Sequence, residues 1–310
     1  MVLIAMGAGA GITSAANPTS LGIYATLMVV YCGIPTTQQS FLNVARTASA
    51  PLLVSANAFW KNDRFSGYEV LWDIEVPLAL DCGGFVAMKR YGGYRWSMLD
   101  YIDLAVMLRP VWWAAQDYSC EPEIAANSAE IGRRIRNTVF TLAETLARVI
   151  HWNQELPGLP ATAPMPVIQG WRPADYTTCV KLMEDHVISD PVAARILGSN
   201  QWPALVGVGS LCRRNLTGPN NLYQIIDALD GVLPPHVGLH LFGVKSTAVA
   251  RLKDRARIVS VDSMAWNYAA RREAFVNRVP KTKELLCDKM SAWIVRQRKM
   301  AKPSAQMALF

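Results

Sequence analysis

Charge is scarce in this 310-residue chain: Asp, Glu, Lys and Arg make up 18% of it, against 51% hydrophobic residues. That balance excludes a disordered polyelectrolyte and points to a tightly packed α/β body. No charged residue precedes Arg46, so the start lacks the positive charge of a secretion signal. The apolar stretch from Leu21 to Pro35 falls short of the roughly 20 apolar residues of a spanning helix, and Asn17, Pro18, Thr19 and Ser20 precede it. It reads as buried strand and helix, with a misplaced translation start or membrane association as the alternative. Close cysteine pairs are also missing. Cys32, Cys82, Cys120, Cys179, Cys212 and Cys287 are scattered with no CxxC or CxC spacing. Reduced thiols in a cytoplasmic protein are expected, and neither a disulfide frame nor a structural zinc. Repeats and low-complexity tracts do not occur.

What does recur is a short β-rich run followed by a polar or glycine residue and then a helix-like segment. The runs are Pro51–Ser55, Val76–Asp81, Val111–Asp117, Pro166–Gly170, Ala204–Ser210, Val237–Gly243 and Arg257–Ser263, with Tyr24–Cys32 as an eighth. Crossover helices are expected in Trp96–Leu108, Ala125–Trp152, Pro173–His186, Leu222–Leu229 and Met264–Val276. The expected fold is an α/β (β/α)8 TIM barrel over residues 1–280, followed by a basic helix, Lys281–Lys302, and a loose tail, Pro303–Phe310. The proline-rich segment from Leu156 to Pro166 reads as a rigid insertion or a lead into the next strand.

The net charge of +7 is uneven, because Lys245 to Lys302 hold fifteen basic residues against five acidic ones. Such a surface suits a polyanion, whose phosphates give up counterions on contact; a solvated helical face is the equal alternative. Arg271, Arg272 and Arg278 with the terminal helix are the choice for gripping phosphate. Arg213 and Arg214 either join them or make a salt bridge at a helix start.

In parallel sheets chemistry gathers where strands end, and these ends carry Asp81, Asp117, Gln169, Gly209 and Asp262. Asp81 is followed by Cys82, Gly83, Gly84 and Phe85: a carboxylate with two glycines lets backbone approach a flat ligand, or simply marks a tight turn. Asp117 could accept hydrogen bonds from a ligand and Gln169 could donate to one, or the two could be a strand cap and a satisfied core polar. Phe85, Trp112 and Trp113 could stack on a flat ligand or pack the interior. His240, within an apolar strand, reads as a hydrogen-bonded core histidine.

Taken in order, these segments resemble the guanine transglycosylase superfamily over about residues 76–272. Asp81-Cys82-Gly83-Gly84-Phe85 is similar to that family's Asp-Ser-Gly-Gly-Phe/Tyr segment, with cysteine replacing serine and weakening one hydrogen-bond donor. Val167-Ile168-Gln169-Gly170 resembles its Gln-Gly strand end, Leu205-Val206-Gly207-Val208-Gly209 its glycine-rich strand, and Leu241-Phe242-Gly243-Val244 its Met-Gly-Val-Gly strand. Val261-Asp262-Ser263 stands where the family has its nucleophile. The continuation Met264-Ala265-Trp266, with Tyr268 to Arg271, looks more like the DpdA group, which acts on DNA. The C-terminal CxCxxC…H zinc element of the tRNA enzymes is not matched here, where only Cys287 occurs.

The resemblance implies exchange of guanine in DNA for a 7-deazaguanine such as preQ0, in the cytoplasm of a bacterium or phage-infected cell, with no cofactor and no metal. Asp262 would be the nucleophile and Asp81 the general base. Cys82, Gly83, Gly84, Phe85, Asp117, Gln169, Gly170, Val206 and Gly207 would hold the base. The partners would be DNA and the incoming base, a homodimer staying open, with no membrane. The competing readings are a tRNA-guanine transglycosylase, a non-catalytic nucleic-acid-binding barrel and an unrelated phosphate-binding barrel enzyme.

Overall fold

Runs such as Leu78-Ala79-Leu80 carry no polar residue on either face, so they can form strands only where both sides of the sheet are covered. The computed structural model, which describes residues 27–302 apart from Asn200 and Arg213, places all such runs in one parallel sheet. In chain order the strands are β1 (Val29–Ile34), β2 (Leu52–Ser55), a hairpin β3 (Trp60–Lys61) and β4 (Arg64–Phe65), β5 (Leu78–Asp81), β6 (Trp112–Trp113), β7 (Val167–Ile168), β8 (Leu205–Val208), β9 (Gly238–Leu241) and β10 (Ile258–Ser263). Hairpin aside, each strand neighbours the next in the chain, and β10 returns to β1 with Tyr31 level with Asp262. The last gap, between β6 and β7, is bridged at Ala114 and Met165, where Met165 N–H donates to Trp113 O (2.7 Å) and Ala115 N–H to Met165 O (2.9 Å). The sheet is therefore a (β/α)8 barrel. The eighth strand lies a few residues later than Tyr24–Cys32 suggests, and Tyr24 itself is outside the described residues.

The outer layer is α1 (Gln39–Thr47), α2 (Gly84–Tyr91), α3 (Met98–Leu108), α4 (Ser128–Glu155), α5 (Pro173–Met183), α6 (Pro191–Leu197), α7 (Leu222–Asp230), α8 (Val249–Leu252), α9 (Ala265–Val276) and α10 (Lys283–Ala301). Capping sets several starts: Ser97 Oγ accepts from Asp100 N–H, Asn127 Oδ1 from Glu130 N–H, and Thr282 Oγ1 from Leu285 N–H. Between β2 and β5 the crossover is the β3–β4 hairpin with two short 3-10 turns. Its filler is Phe59 and Leu71, both buried.

Strand alternation divides the core into two kinds. Outward residues such as Leu52, Leu80, Trp113, Ile168, Val206 and Leu241 pack beneath the helices. Inward residues, Tyr31, Leu53, Ala79, Ala114 and Val167 with Trp112 and Phe242, fill the barrel itself. The basic terminal segment proves to be a stave of the outer layer. α10 packs on α1, α8, α9 and β1, burying Leu286, Met290, Trp293 and Ile294. Trp293 Nε1 donates to Ser246 Oγ (2.7 Å) and Arg298 to Ser49 O (2.8 Å). The tail from Pro303 lies outside the described residues. Among the described residues no helix is long and apolar enough to cross a membrane.

Candidate active site

One cavity, of about 190 Å³, opens at the carboxyl ends of the strands. Its wall includes Asp81, Cys82, Gly83, Gly84, Phe85, Asp117, Gln169 and Asp262, together with Glu121, Gly209, Ser210 and Phe242. Drug-sized sites run to roughly 300–1,000 Å³, so this one is scaled for a single small ligand. Alternation explains the membership. Asp81, Gln169, Gly209, Phe242 and Asp262 all occupy inward positions at or just past the ends of β5, β7, β8, β9 and β10.

Asp81 and Asp262 stand three strand spacings apart in the order β5-β2-β1-β10, with Leu53 of β2 lining the wall between them. At about 4.8 Å per spacing the separation is about 14 Å along the wall and less across the cavity. Asp262 is buried, and its Oδ1 accepts from Gly243 N–H (2.8 Å). Beneath it His240 is fully buried among Tyr31, Trp112 and Phe242; Nδ1 meets Ser260 Oγ at 2.9 Å and Nε2 lies 3.5 Å from Asp262 Oδ1.

Asp81 Oδ2 accepts from Gly83 N–H (3.1 Å). Burial, followed by the charges of Asp117 and Asp262, pushes its carboxyl up to about 7, against hydrogen bonds from Gly83 and Ser55 that favour the charged form. The two glycines are sterically required. Gly83 has φ +77° and a Cβ there would fall 1.9 Å from Asn57 Nδ2; a Cβ on Gly84 would fall 2.3 Å from Asp117 Oδ1. Asn57 Nδ2 in turn donates to Gly83 O (3.1 Å), fixing the turn.

Asp117 is the centre of a buried polar cluster. Its Oδ1 accepts the Cys82 thiol (3.0 Å), its Oδ2 accepts Gln169 Nε2, and its backbone exchanges hydrogen bonds with Tyr94 Oη, which donates to Asp117 O (2.7 Å) and accepts from Asp117 N–H (2.9 Å). Burial raises the Asp117 carboxyl, and the bonds from Cys82, Gln169 and Tyr94 oppose the rise. Burial, then the charges of Asp117 and Asp81, holds the Cys82 thiol well above its usual value, so it stays a neutral donor. The Cys82 thiol thus donates to Asp117. Gln169 Oε1 lies 2.6 Å from Ser210 Oγ, which lies 2.9 Å from Glu121 Oε2.

Several expected positions fall elsewhere. Val206 faces outward into the helix-covered core, one residue out of phase with the cavity. Gly207 faces inward but a layer deeper, where a Cβ would meet the Phe242 ring at 2.6 Å; Gly209 takes the lining position. Gly170 is off the cavity wall, and a Cβ there would fall 2.7 Å from Tyr176 N, so it serves the approach of α5. Trp113 points out to Tyr101 and Thr162, and the aromatic rings on the cavity wall are Phe85 and Phe242. Arg214 is buried, stacked 3.6 Å from the Trp171 ring and donating to the carbonyls of Ser210, Trp171 and Asn220, which removes it from any phosphate-binding surface. Arg213 lies outside the described residues. Arg271, Arg272 and Arg278 are exposed. Tyr94 and Glu121, in loops, and Asn57, in a 3-10 turn, carried no sequence signal, since their place over the barrel mouth is set by folding alone.

Residues 30–308 match a family model described as DpdA, DeoxyPurine in DNA protein A. No curated protein matches the chain.

Proposed function

Because the chain belongs to the DpdA family, a transglycosylase family of deazapurine DNA modification, we propose that it exchanges guanine in DNA for a 7-deazaguanine base such as preQ0 through a covalent Asp262–deoxyribose intermediate. One observation carries the reading: Asp81 and Asp262 line the same base-sized cavity as the acceptor and donor cluster of Asp117 and Gln169. Cleaving an N-glycosidic bond leaves an oxocarbenium-like sugar, which a carboxylate beneath C1′ can trap while the base departs above. Asp262 is that carboxylate, and Gly243 N–H orients it. Asp81, held near 7, is then the group that takes the proton from the incoming base, so that its nitrogen attacks C1′ and expels Asp262. Two displacements return the sugar to its original configuration.

Asp117 accepts from the N–H groups of the purine edge, Gln169 or a nearby backbone N–H donates to its carbonyl oxygen, and Phe85 and Phe242 border its faces. Duplex DNA hides C1′, so the target nucleotide must be extruded or drawn from melted DNA, at a cost of a few kcal/mol. Exposed Arg271, Arg272 and Arg278 on and after α9, the helix that begins three residues past Asp262, supply the phosphate contacts.

The test is incubation of the purified protein with labelled guanine and, separately, DNA or tRNA. Label entering DNA, lost in Asp262→Ala, is the expected result. Label entering only tRNA overturns the substrate assignment, and exchange by Asp262→Ala overturns the mechanism.

A further inference from the structure

We propose that Glu121 determines specificity at this site: it holds the one proton that the buried chain Asp117, Gln169, Ser210 and Glu121 must share, and so leaves Asp117 a purely accepting partner for the base. The inference rests on the cavity being a base pocket, and it follows from counting hydrogens. Ser210 Oγ has a single proton and two acceptors within reach, Gln169 Oε1 at 2.6 Å and Glu121 Oε2 at 2.9 Å, while it already accepts from Cys120 N–H (2.8 Å). If Ser210 donates to Gln169, the Glu121 contact needs a proton from Glu121 itself. If the Gln169 amide is reversed, its nitrogen feeds Ser210 and its oxygen faces Asp117 Oδ2, so the proton must then sit on Asp117. Either way, one carboxyl of the two is un-ionised.

The surroundings decide which. Both oxygens of Asp117 are already acceptors, one for the Cys82 thiol and one for Gln169, and such donors favour the carboxylate. Glu121 is buried, and burial raises its carboxyl above the ordinary range. Bonds from its own backbone N–H and from the Ser210 hydroxyl would oppose that rise; of the charged groups, Asp117 from its own loop adds to it and Arg214 from the loop after β8 opposes it. Tyr176 of α5 and neighbouring Cys120 also face it, and both are held neutral by burial. Arg134 of α4 is engaged with Glu130 and Ser119 O. With the proton on Glu121, the cavity offers Asp117 as an acceptor for an edge carrying adjacent N–H groups, as guanine does, and rejects a base whose ring nitrogen there is an acceptor.

Among the described residues Glu121 is the only buried glutamate, which permits a test on the unmodified enzyme. Infrared spectra are recorded at pH 8 on protein grown with carboxyl-13C glutamate, and again with carboxyl-13C aspartate. The expected result is an un-ionised acid carbonyl band that shifts with labelled glutamate and is missing from E121Q. A band that shifts only with aspartate, or no acid band at all, overturns the proposal.

A kinetic arm uses E121Q, whose amide keeps a donor toward Ser210. Wild-type KM for guanine should rise about tenfold per pH unit once Glu121 ionises. In E121Q, under the same conditions, KM should follow only the titration of guanine itself. Equal KM profiles for the two proteins also overturn the proposal. The spectra need no substrate, so a protein that shows the glutamate band yet exchanges no base would refute the transglycosylase reading alone.

Discussion

Replacing Asp81 by Asn should abolish base exchange and yet stabilise the protein above neutral pH. The side chains are isosteric, and the Asn Oδ1 can still accept from Gly83 N–H, so the turn into α2 is kept. What changes is charge. In the folded protein the Asp81 carboxyl is raised from 3.8 to about 7, mainly by burial and then by Asp117 and Asp262. A difference of that size corresponds to about 4 kcal/mol.

Between those two values the folded state binds more protons than the unfolded one, so this group's contribution to stability falls as pH rises from about 4 to 7 and stays low above. The Asn variant has no such loss. It should match the wild type near pH 4 and exceed it by about 2–4 kcal/mol at pH 8, relaxation and water entry trimming the upper figure. Urea unfolding of both proteins at several pH values measures the difference, and labelled-guanine incorporation measures exchange. Wild-type exchange should climb as pH passes through about 7, because the base must be ionised to act. The reasoning is refuted if the stability difference is independent of pH, or if Asp81→Asn exchanges guanine at the wild-type rate.

Much of this arrangement can be read from the residues, and the limits of that reading have a physical cause. Short apolar runs separated by amphipathic stretches fix a parallel barrel, since only a sheet covered on both faces buries Leu78–Leu80 or Leu239–Leu241. Each run ends in polar residues, and an alternation of two then decides which of them reach the mouth. That rule places Asp81, Gln169 and Asp262 inward, and along β8 it separates inward Gly209 from outward Val206. Gly207 shows what phase alone leaves open. It faces inward, but depth in the barrel depends on the stagger of neighbouring strands, and Phe242, Met165 and Val167 close over it.

Arginines are harder to place. Arg214 reads as a surface charge from its neighbours in sequence, whereas its guanidinium finds the ring and carbonyl of Trp171, far away in the chain, and the carbonyls of Ser210 and Asn220 in its own loop. The basic terminal segment holds two patterns at once. Leu286, Met290, Trp293 and Ile294 recur at helical spacing and bind it to the barrel wall, while Lys283, Arg296, Arg298 and Lys299 stay exposed.

The exposed arginines and the inward glycines each give a measurable outcome. Arg271, Arg272 and Arg278 replaced together by Ala should weaken DNA binding and lower the dependence of log K on log salt by about 0.9 for each phosphate no longer neutralised. An unchanged slope between about 50 and about 200 mM salt, a range over which such binding normally falls steeply, would remove α9 from the DNA surface. The two inward glycines of strand β8 and its end should respond in opposite ways to a single methyl group. At Gly207 a Cβ meets the Phe242 ring and the Met165 methyl, both packed inside the barrel, so Gly207→Ala should cost about 1–3 kcal/mol of stability in urea unfolding through overpacking. At Gly209 a Cβ would fall 2.2 Å from Gln169 Nε2 and 3.1 Å from Asp117 Oδ2, at the cavity wall. Gln169 can turn away there, but only by giving up its bond to Asp117. Gly209→Ala should therefore raise KM for guanine at least about tenfold, roughly the value of one hydrogen bond to a charged group, with a smaller loss of stability than Gly207→Ala. If the two variants lose stability equally and Gly209→Ala keeps its KM, then Gln169 and Asp117 do not hold the base together.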